Sequence, residues 1–471
     1  MDRETLELVR LGILAVVLVT GCYQASPQPG SPCSPEGMCP AGLECDLGVC
    51  VSHTMTDGGG DSTPAFDAAC GMCSADHTAF VPCSGANVAC GLGCITSGGD
   101  HCAQLVPANG IDPAWTAGTT AINVGGVATF DTSTGAISGA LTRASGTGVK
   151  SGIGYYQTTS GTASIGVFAF TSLTITAAGE ARFTGSRSAA FLADGMIVIG
   201  GKIDVSAGCY GSDRSCAGPG GGAGSIMGTP ASGGCAGGNA ASSMTNADDG
   251  GGGGGGGGES GTVGGTASSA AAGTAGGGCI PVSLEPLRGG GGGGAGGPGA
   301  STFPPGGGGG GAIQLTSQTA VVVGGVIVSG GAGGNGGNTM SGSSASAGSG
   351  GGGGGGILLE APTVTVQNGG VVAANGGGGG GGGNSGVGPG SPGAPGGSST
   401  AVAMGGMGVA SPGPANGGNG GAGATAPTAG GDGTNGGGGG GGRGMIRVRA
   451  TTPTLSGTIS PTATTAAIVT R

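Results

Sequence analysis

The sequence predicts an all-β protein whose main domain is a right-handed parallel β-helix, a solenoid with long glycine-rich insertions. Three observations predict it. Short runs of β-branched residues with alternating apolar positions recur from about residue 120 onward. Two successive runs begin at Phe168 and Phe191, and this spacing of 23 residues equals one solenoid coil. Later runs are separated by stretches dominated by glycine, which supplies 129 of the 471 residues.

The repeated units share one internal order: a short strand, a bend, an alternating strand, a glycine-containing turn and another short strand. The units are FAFTSLTITAAGEARFTG (168–185), FLADGMIVIGGKIDVSAG (191–208), IQLTSQTAVVVGGVIVSGG (313–331), ILLEAPTVTVQNGGVVAANGG (357–377) and IRVRATTPTLSGTISP (446–461). The extra length follows the last strand of a unit, so the insertions are expected at one corner of the solenoid, where repeat proteins tolerate them. A β-sandwich with disordered loops is the alternative.

The glycine runs recur just before the first apolar residue of a unit. Runs of six or more glycines occupy 250–258, 289–294, 306–311, 350–356, 376–383 and 436–442. Glycine has no Cβ, so extended three-fold helices of polyproline II geometry could pack closely enough to exchange backbone hydrogen bonds. We therefore expect a polyglycine II bundle. The alternative is that the runs are disordered loops.

The N-terminus predicts export and a lipid anchor. Residues 11–19, LGILAVVLV, form an apolar run too short to span a bilayer and typical of a signal peptide. The following residues Val19-Thr20-Gly21-Cys22 resemble the bacterial lipobox, and this resemblance implies a diacylated Cys22 that attaches the protein to the membrane. Tyr23 stands where the inner-membrane retention signal has Asp, which favours the outer membrane or cell surface. A transmembrane anchor with Cys22 as a free thiol is the alternative.

The remaining fourteen cysteines fall into groups of four, six and four, and even counts favour disulfides formed in an oxidising compartment. Their pairing cannot be read from their spacing. A zinc site at Cys70-x-x-Cys73 with His77 is the alternative. The expected disulfide cysteines are Cys33, Cys39, Cys45, Cys50, Cys70, Cys73, Cys83, Cys90, Cys94, Cys102, Cys209, Cys216, Cys235 and Cys279.

These features divide the chain into six segments. We expect a signal peptide (1–21), a tether (22–32), a four-cysteine module (33–50), a linker (51–69), a six-cysteine module (70–107) and the β-helix domain (120–471).

Composition argues against nucleic-acid binding and catalysis. Charged residues make up 8% of the chain and the net charge is −10, so no basic face for nucleic acid can form. All three histidines precede the β-domain, and Glu360 and Asp432 are the only acids after residue 303. Lys202 and Asp204 should form a solvated ion pair on one strand face rather than a catalytic pair. We therefore expect no catalytic residues, no metal and no cofactor.

A family resemblance agrees with this interpretation. The β-units with glycine runs, together with the GCITSGGDHCAQLVP segment (93–107), resemble glycine-rich cell-surface lipoproteins of the myxobacterial type. The triplets in SGGAGGNGGN (329–338) are similar to PGRS-type glycine repeats. The resemblance implies no assigned activity. The expected function is a non-catalytic structural, display or adhesive role. The alternatives are a carbohydrate- or cell-recognition protein with a glycan or protein ligand, and a polysaccharide-active β-helix enzyme.

Overall fold

The computed structural model describes residues 44–46, 49–51, 71–84, 86–115, 120–208, 213–226, 229–233, 235–239, 248–297, 303–339, 345–409 and 415–471. Every regular element among them is a β-strand, which confirms the all-β class. The chain divides into two compact units, Met1–Ala69 and Cys70–Arg471. The described part of the first unit is one antiparallel pair, β1 (Glu44–Asp46) and β2 (Val49–Val51).

The second unit begins with a small disulfide-bonded module of five short strands. Two disulfides, Cys73–Cys94 and Cys90–Cys102, cross it. Cys83 is also disulfide-bonded. The strands form two antiparallel sheets and are β3 (Met72–Cys73), β4 (Ala79–Val81), β5 (Val88–Ala89), β6 (Cys94–Ile95) and β7 (His101–Cys102).

The main body is built from three sheets around one core, and the strands within each sheet pair mostly in parallel. The first strands of this body are β8 (Ile122–Val124), β9 (Val127–Asp131), β10 (Ile137–Gly139), β11 (Gly148–Lys150), β12 (Ile153–Ser160) and β13 (Ala163–Phe170). The later ones are β14 (Leu173–Ile175), β15 (Glu180–Thr184), β16 (Ser188–Ala193), β17 (Ile197–Ile199), β18 (Lys202–Asp204), β19 (Ala312–Ser317), β20 (Ala320–Val323), β21 (Val326–Val328), β22 (Gly356–Glu360), β23 (Thr363–Val366), β24 (Val371–Ala373), β25 (Met445–Arg449), β26 (Thr452–Leu455), β27 (Thr458–Ser460) and β28 (Thr464–Ala466).

The chain visits the three sheets in a fixed rotation. Sheet A holds β8, β14, β17, β20, β23 and β26; sheet B holds β9, β15, β18, β21, β24 and β27, with β10 added antiparallel; sheet C holds β13, β16, β19, β22, β25 and β28, with β11 and β12 added antiparallel. After β13 the path runs A, B, C without exception up to β28. From β13 onward, the bends from sheet C to sheet A and from sheet A to sheet B are short, and one is a turn at Asn368–Gly369, where Gly369 has φ +91° and the Gly370 N–H donates to the Gln367 carbonyl.

Aligned apolar residues fill the space between the sheets. Phenylalanines dominate the first layers: Phe191 lies with its ring centroid 5.2 Å from those of Phe130 and Phe170. Aliphatic residues continue the column, with Ile313 opposite Ile357 and Ile357 opposite Ile446. A second apolar cluster covers the outer face of sheet C, so that sheet is buried on both faces.

Three glycine-rich insertions leave the body after a sheet B strand and return at the next sheet C strand. They span 205–311, 329–355 and 374–444. In the described glycine runs of these insertions, backbone hydrogen bonds follow a period of three residues. In the run at 350–356, residues three apart donate to the same neighbouring segment, and the pairs are Gly350 to Gly294 and Gly353 to Gly291, Gly351 to Gly439 and Gly354 to Gly442, and Gly352 to Ala332 and Gly355 to Ser329.

The run at 250–258 repeats this arrangement with other neighbours. Gly252 and Gly255 donate to Gly348 and Gly351, while residues on either side of each donor bond to two further segments. Each of these two runs therefore donates to three neighbouring segments, one for every third residue, and accepts from three others, and most of its glycines are buried. The alternative, disordered loops, does not describe these runs in the part of the chain that the structure describes.

Candidate functional site

Several of the residues expected to matter lie outside the described part of the chain. These are Cys22, the segment 1–21, Cys33, Cys39, Cys70, Cys209, and the side chains of Cys45 and Cys50. Among the described residues no helix is long and apolar enough to cross a membrane. Cys235 and Cys279 form a disulfide, and Cys216 is disulfide-bonded. Disulfides are typical of an oxidising, extracellular environment.

The zinc alternative loses a ligand in this structure. Cys73 is disulfide-bonded to Cys94, so its sulfur is no thiolate. The His77 Nδ1 lies 3.2 Å from the Cys94 carbonyl oxygen. Within the described ranges, no three His, Cys, Asp or Glu side chains are grouped as metal ligands.

Lys202 and Asp204 form an ion pair on the outer face of sheet B. The Lys202 Nζ lies 2.7 Å from Asp204 Oδ2 and 3.6 Å from Glu180 Oε1, and Arg182 pairs with the same Glu180 at 2.9 Å. Burial lowers the pKa of Lys202, but its hydrogen bond to Asp204 and the two carboxylate charges raise it above its ordinary value by more. All four side chains are neutralised by one another, as expected of a surface ladder.

A buried polar network, which sequence reasoning missed, lies under the connector, defined here as residues 103–111 between the disulfide module and the sheets. Thr316, Glu360 and Arg449 occupy the same register position on β19, β22 and β25. The Glu360 carboxylate is 1% exposed. It accepts hydrogen bonds from the Thr316 hydroxyl at 3.0 Å, the Gln314 amide at 2.6 Å and the Ala108 N–H at 3.2 Å.

One cation completes this network. The Arg449 Nη1 lies 2.9 Å from Glu360 Oε1 and 3.3 Å from Glu285 Oε1. Burial raises the pKa of the Glu360 carboxyl, and Arg449 and the three donors offset part of that rise. The network therefore fastens the connector to sheet C, and its protein groups enclose the Glu360 carboxylate.

The connector is fixed at two further points. Gln318 both donates to and accepts from the backbone of Leu105, at 3.1 and 2.8 Å. Gln104 and Arg471 exchange two backbone hydrogen bonds of 2.9 Å each, so the connector also pairs with the C-terminus. The disulfide module is thus joined to the sheets by buried contacts along its exit.

A second charge pair closes the glycine runs at their ends. Arg443 follows the run at 436–442 and binds both carboxylate oxygens of Glu259, which follows the run at 250–258, at 2.5 and 2.6 Å. These hydrogen bonds raise the pKa of Arg443. A bidentate arginine–carboxylate pair is rigid and directional, and it aligns the ends of the two runs.

One cavity differs from all these sites because its charges are not neutralised. This arginine pocket has a volume of about 400 Å³ and lies where the starts of β13 and β16 meet the insertion at 205–311. Its lining includes Arg187, Arg288, Ser188 and the glycines at 220–222, and no acid is among the described residues that line it. Exposed Ser164 and Ser186 form part of its wall, so the cavity opens to solvent.

The arginine pocket could not be read from the sequence. Its two cations are about one hundred residues apart, and neither lies in a motif. Only the folding of an insertion back onto the starts of two sheet C strands brings them to one cavity. Compared with known proteins, the chain matches no family model, no curated protein and no solved structure.

Proposed function

We propose that this chain is a non-catalytic, lipid-anchored cell-surface protein with a structural, display or adhesive role. One observation carries the proposal: the glycine insertions are held by backbone hydrogen bonds in a repeating pattern of three residues. Such a body needs few side chains and offers few charged or aromatic groups, which suits a rigid, chemically inert projection. The resemblance to glycine-rich cell-surface lipoproteins points the same way.

The finer architecture belongs to this proposal. The fixed rotation through three parallel sheets supports a right-handed parallel β-helix, because parallel crossover connections are nearly always right-handed. A β-sandwich would instead pair its strands antiparallel. The three-residue period of the hydrogen bonds, with each run donating to three neighbouring segments, supports a polyglycine II bundle seated on one corner of that solenoid.

The base of the described body supports the same role. A domain that is anchored at the cell surface needs a firm joint at its base. The disulfides Cys73–Cys94 and Cys90–Cys102, followed by the connector bound to Glu360, supply such a joint. Acylation of Cys22 with two chains would anchor the protein stably.

The test is the cellular location of matched variants. In the organism or a diderm host, the unmodified protein should sediment with the outer membrane and be accessible to a surface label. Cys22→Ala should release it from the membrane, whereas Ser26→Ala should change nothing. A Cys22→Ala protein that remains membrane-bound would contradict the lipid anchor, and an unmodified protein inaccessible to the label would contradict surface display.

A second candidate function is recognition of a cell-surface glycan. The arginine pocket favours it, because an inert projection has no need of a cavity with two unneutralised cations.

A further inference from the structure

The arginine pocket holds two cations, and no carboxylate lies among the described residues that line it. Arg182, Arg443 and Arg449 each pair with a carboxylate. Arg288 donates instead to the neutral hydroxyl of Thr162. The Arg187 guanidinium has no hydrogen-bond or ion-pair partner within the described part of the chain. In a protein of net charge −10, this cavity therefore brings together two cations with no acid in its described lining.

Arg187 and Arg288 both extend from backbone whose neighbouring residues are hydrogen-bonded or buried. Arg187 directly precedes Ser188, the first residue of β16, whose hydroxyl donates to the Leu287 carbonyl at 2.9 Å. Arg288 lies between fully buried Leu287 and Gly289, whose N–H donates to Gly220 at 3.0 Å. A ligand would therefore meet two guanidinium groups whose attachment points are already ordered, which lowers the entropy cost of binding.

The size and lining of the pocket restrict the chemical class of ligand that fits it. About 400 Å³ lies within the usual range of small-molecule sites, roughly 300–1,000 Å³, and exceeds what a bare anion needs. Serine and threonine hydroxyls line it, and hydroxyls pair with the hydroxyls of sugars. The described lining has no aromatic side chain. A nucleotide base would thus find no stacking surface, and a neutral sugar would lack both stacking and charge.

We propose that the arginine pocket binds an anionic saccharide, a sugar unit bearing a carboxylate, sulfate or phosphate group. The anion pairs with Arg187 and Arg288, and the sugar hydroxyls meet the serine and threonine hydroxyls around them. Guanidinium groups bind such oxyanions in planar, two-pronged geometry. This inference deepens the glycan-recognition role named above and rests on it, but it does not depend on the lipid anchor.

The experiment is a calorimetric or NMR titration of the detergent-solubilised full chain with four matched hexoses. Glucuronate, glucose 6-sulfate and glucose 6-phosphate differ from glucose only in the acidic group, and their relative affinities identify the source of the charge. At least one acidic sugar should bind in the millimolar range and weaken as salt is raised, while glucose should not bind. Equal binding of glucose, or of inorganic sulfate alone, would overturn the proposal.

Variants locate the binding. Arg187→Gln and Arg288→Gln should each weaken the acidic sugar about tenfold, the usual scale for losing one charged hydrogen-bonding partner. Arg447→Gln is the matched control, since Arg447 donates to the Val282 carbonyl and does not line the pocket. Unchanged affinity in both pocket variants would overturn the assignment.

A footprint on the unmodified protein covers the case in which a variant fails to fold. Phenylglyoxal modifies accessible arginines, and the acidic sugar should protect Arg187 and Arg288 but not Arg447. Protection of all three, or of none, would contradict the proposal. If the unmodified protein is attached to the membrane but binds none of the acidic sugars, the glycan-recognition role is contradicted. The anchored structural role is not affected by that result.

Discussion

The sheet core and the glycine insertions both bury backbone N–H and C=O groups that need hydrogen-bond partners, and they provide those partners in two different ways. In the sheets, side chains such as Phe191 and Ile357 exclude water, and the strands pair in register. In the insertions, side chains are missing, and backbones approach so closely that a Cβ on Gly352 would lie 1.9 Å from the Gly308 carbonyl oxygen. The core is therefore sensitive to lost atoms and the insertions to added ones.

The largest effect should come from removing atoms from the core. Phe191→Ala deletes a fully buried ring that contacts four other phenylalanines, so it should lower the free energy of unfolding by about 3–5 kcal/mol. Chemical denaturation measures it. Val387→Ala removes an exposed side chain and should change stability by less than about 0.5 kcal/mol. Equal losses of unfolding free energy in Phe191→Ala and Val387→Ala would contradict the assignment of Phe191 to the core.

The next effect should come from adding one carbon to a glycine run. Gly352→Ala must displace the Gly308 carbonyl and disturb the bonds that Gly352 makes to Ala332 and Gly377, so it should cost about 1–3 kcal/mol or more. Gly277→Ala is the matched control, because its Cβ would meet nothing within 4 Å. We expect this control to be neutral or slightly stabilising through the unfolded chain. Two equally tolerated variants would mean that the run is not packed.

The smallest effect should be a pH dependence at the connector. Because burial raises the folded pKa of Glu360 above its ordinary 4.5, the stability that Glu360 contributes is full below that value and is lost as pH rises through the folded pKa. In Glu360→Gln the side chain is neutral at every pH, so its contribution to stability does not change with pH. The melting temperature of the unmodified protein should therefore fall relative to the variant as pH rises above about 4.5.

The opposite dependence of stability on pH would contradict this prediction. If the unmodified protein gained stability relative to Glu360→Gln as pH rose, Arg449 and the hydrogen-bond donors would outweigh burial. The direction of the pKa shift given above would then be wrong.

The strands were predictable because their signal is local. The alternation in TVTV (363–366), the turn at Asn368–Gly369 and the pairing of Lys202 with Asp204 all depend on neighbours in sequence. The first residues of the repeated units do not all align: Ile313 lies opposite Ala189, two residues before Phe191. A shift of two residues keeps the same side chains facing inward, so the alternation within each strand still indicates which of its faces is buried.

Long-range features were not predictable. Glu360 ends an apolar strand, and nothing local indicates that residues 103–111 cover the outer face of that strand. The arginine pocket likewise depends on where an insertion folds back. For the glycine runs, composition allowed either order or disorder, since the partners of most of their N–H groups are distant in sequence.

Amide hydrogen exchange on the intact protein tests the central claim most directly. If the glycine runs are hydrogen-bonded at every residue, their amides at 251–256, 290–294 and 350–355 should exchange as slowly as those of the sheet C strands at 313–317 and 357–360. Mass spectrometry of the exchanged peptides measures this. Exchange of the glycine runs at the rate of an unfolded chain, with the sheets still protected, would contradict the account.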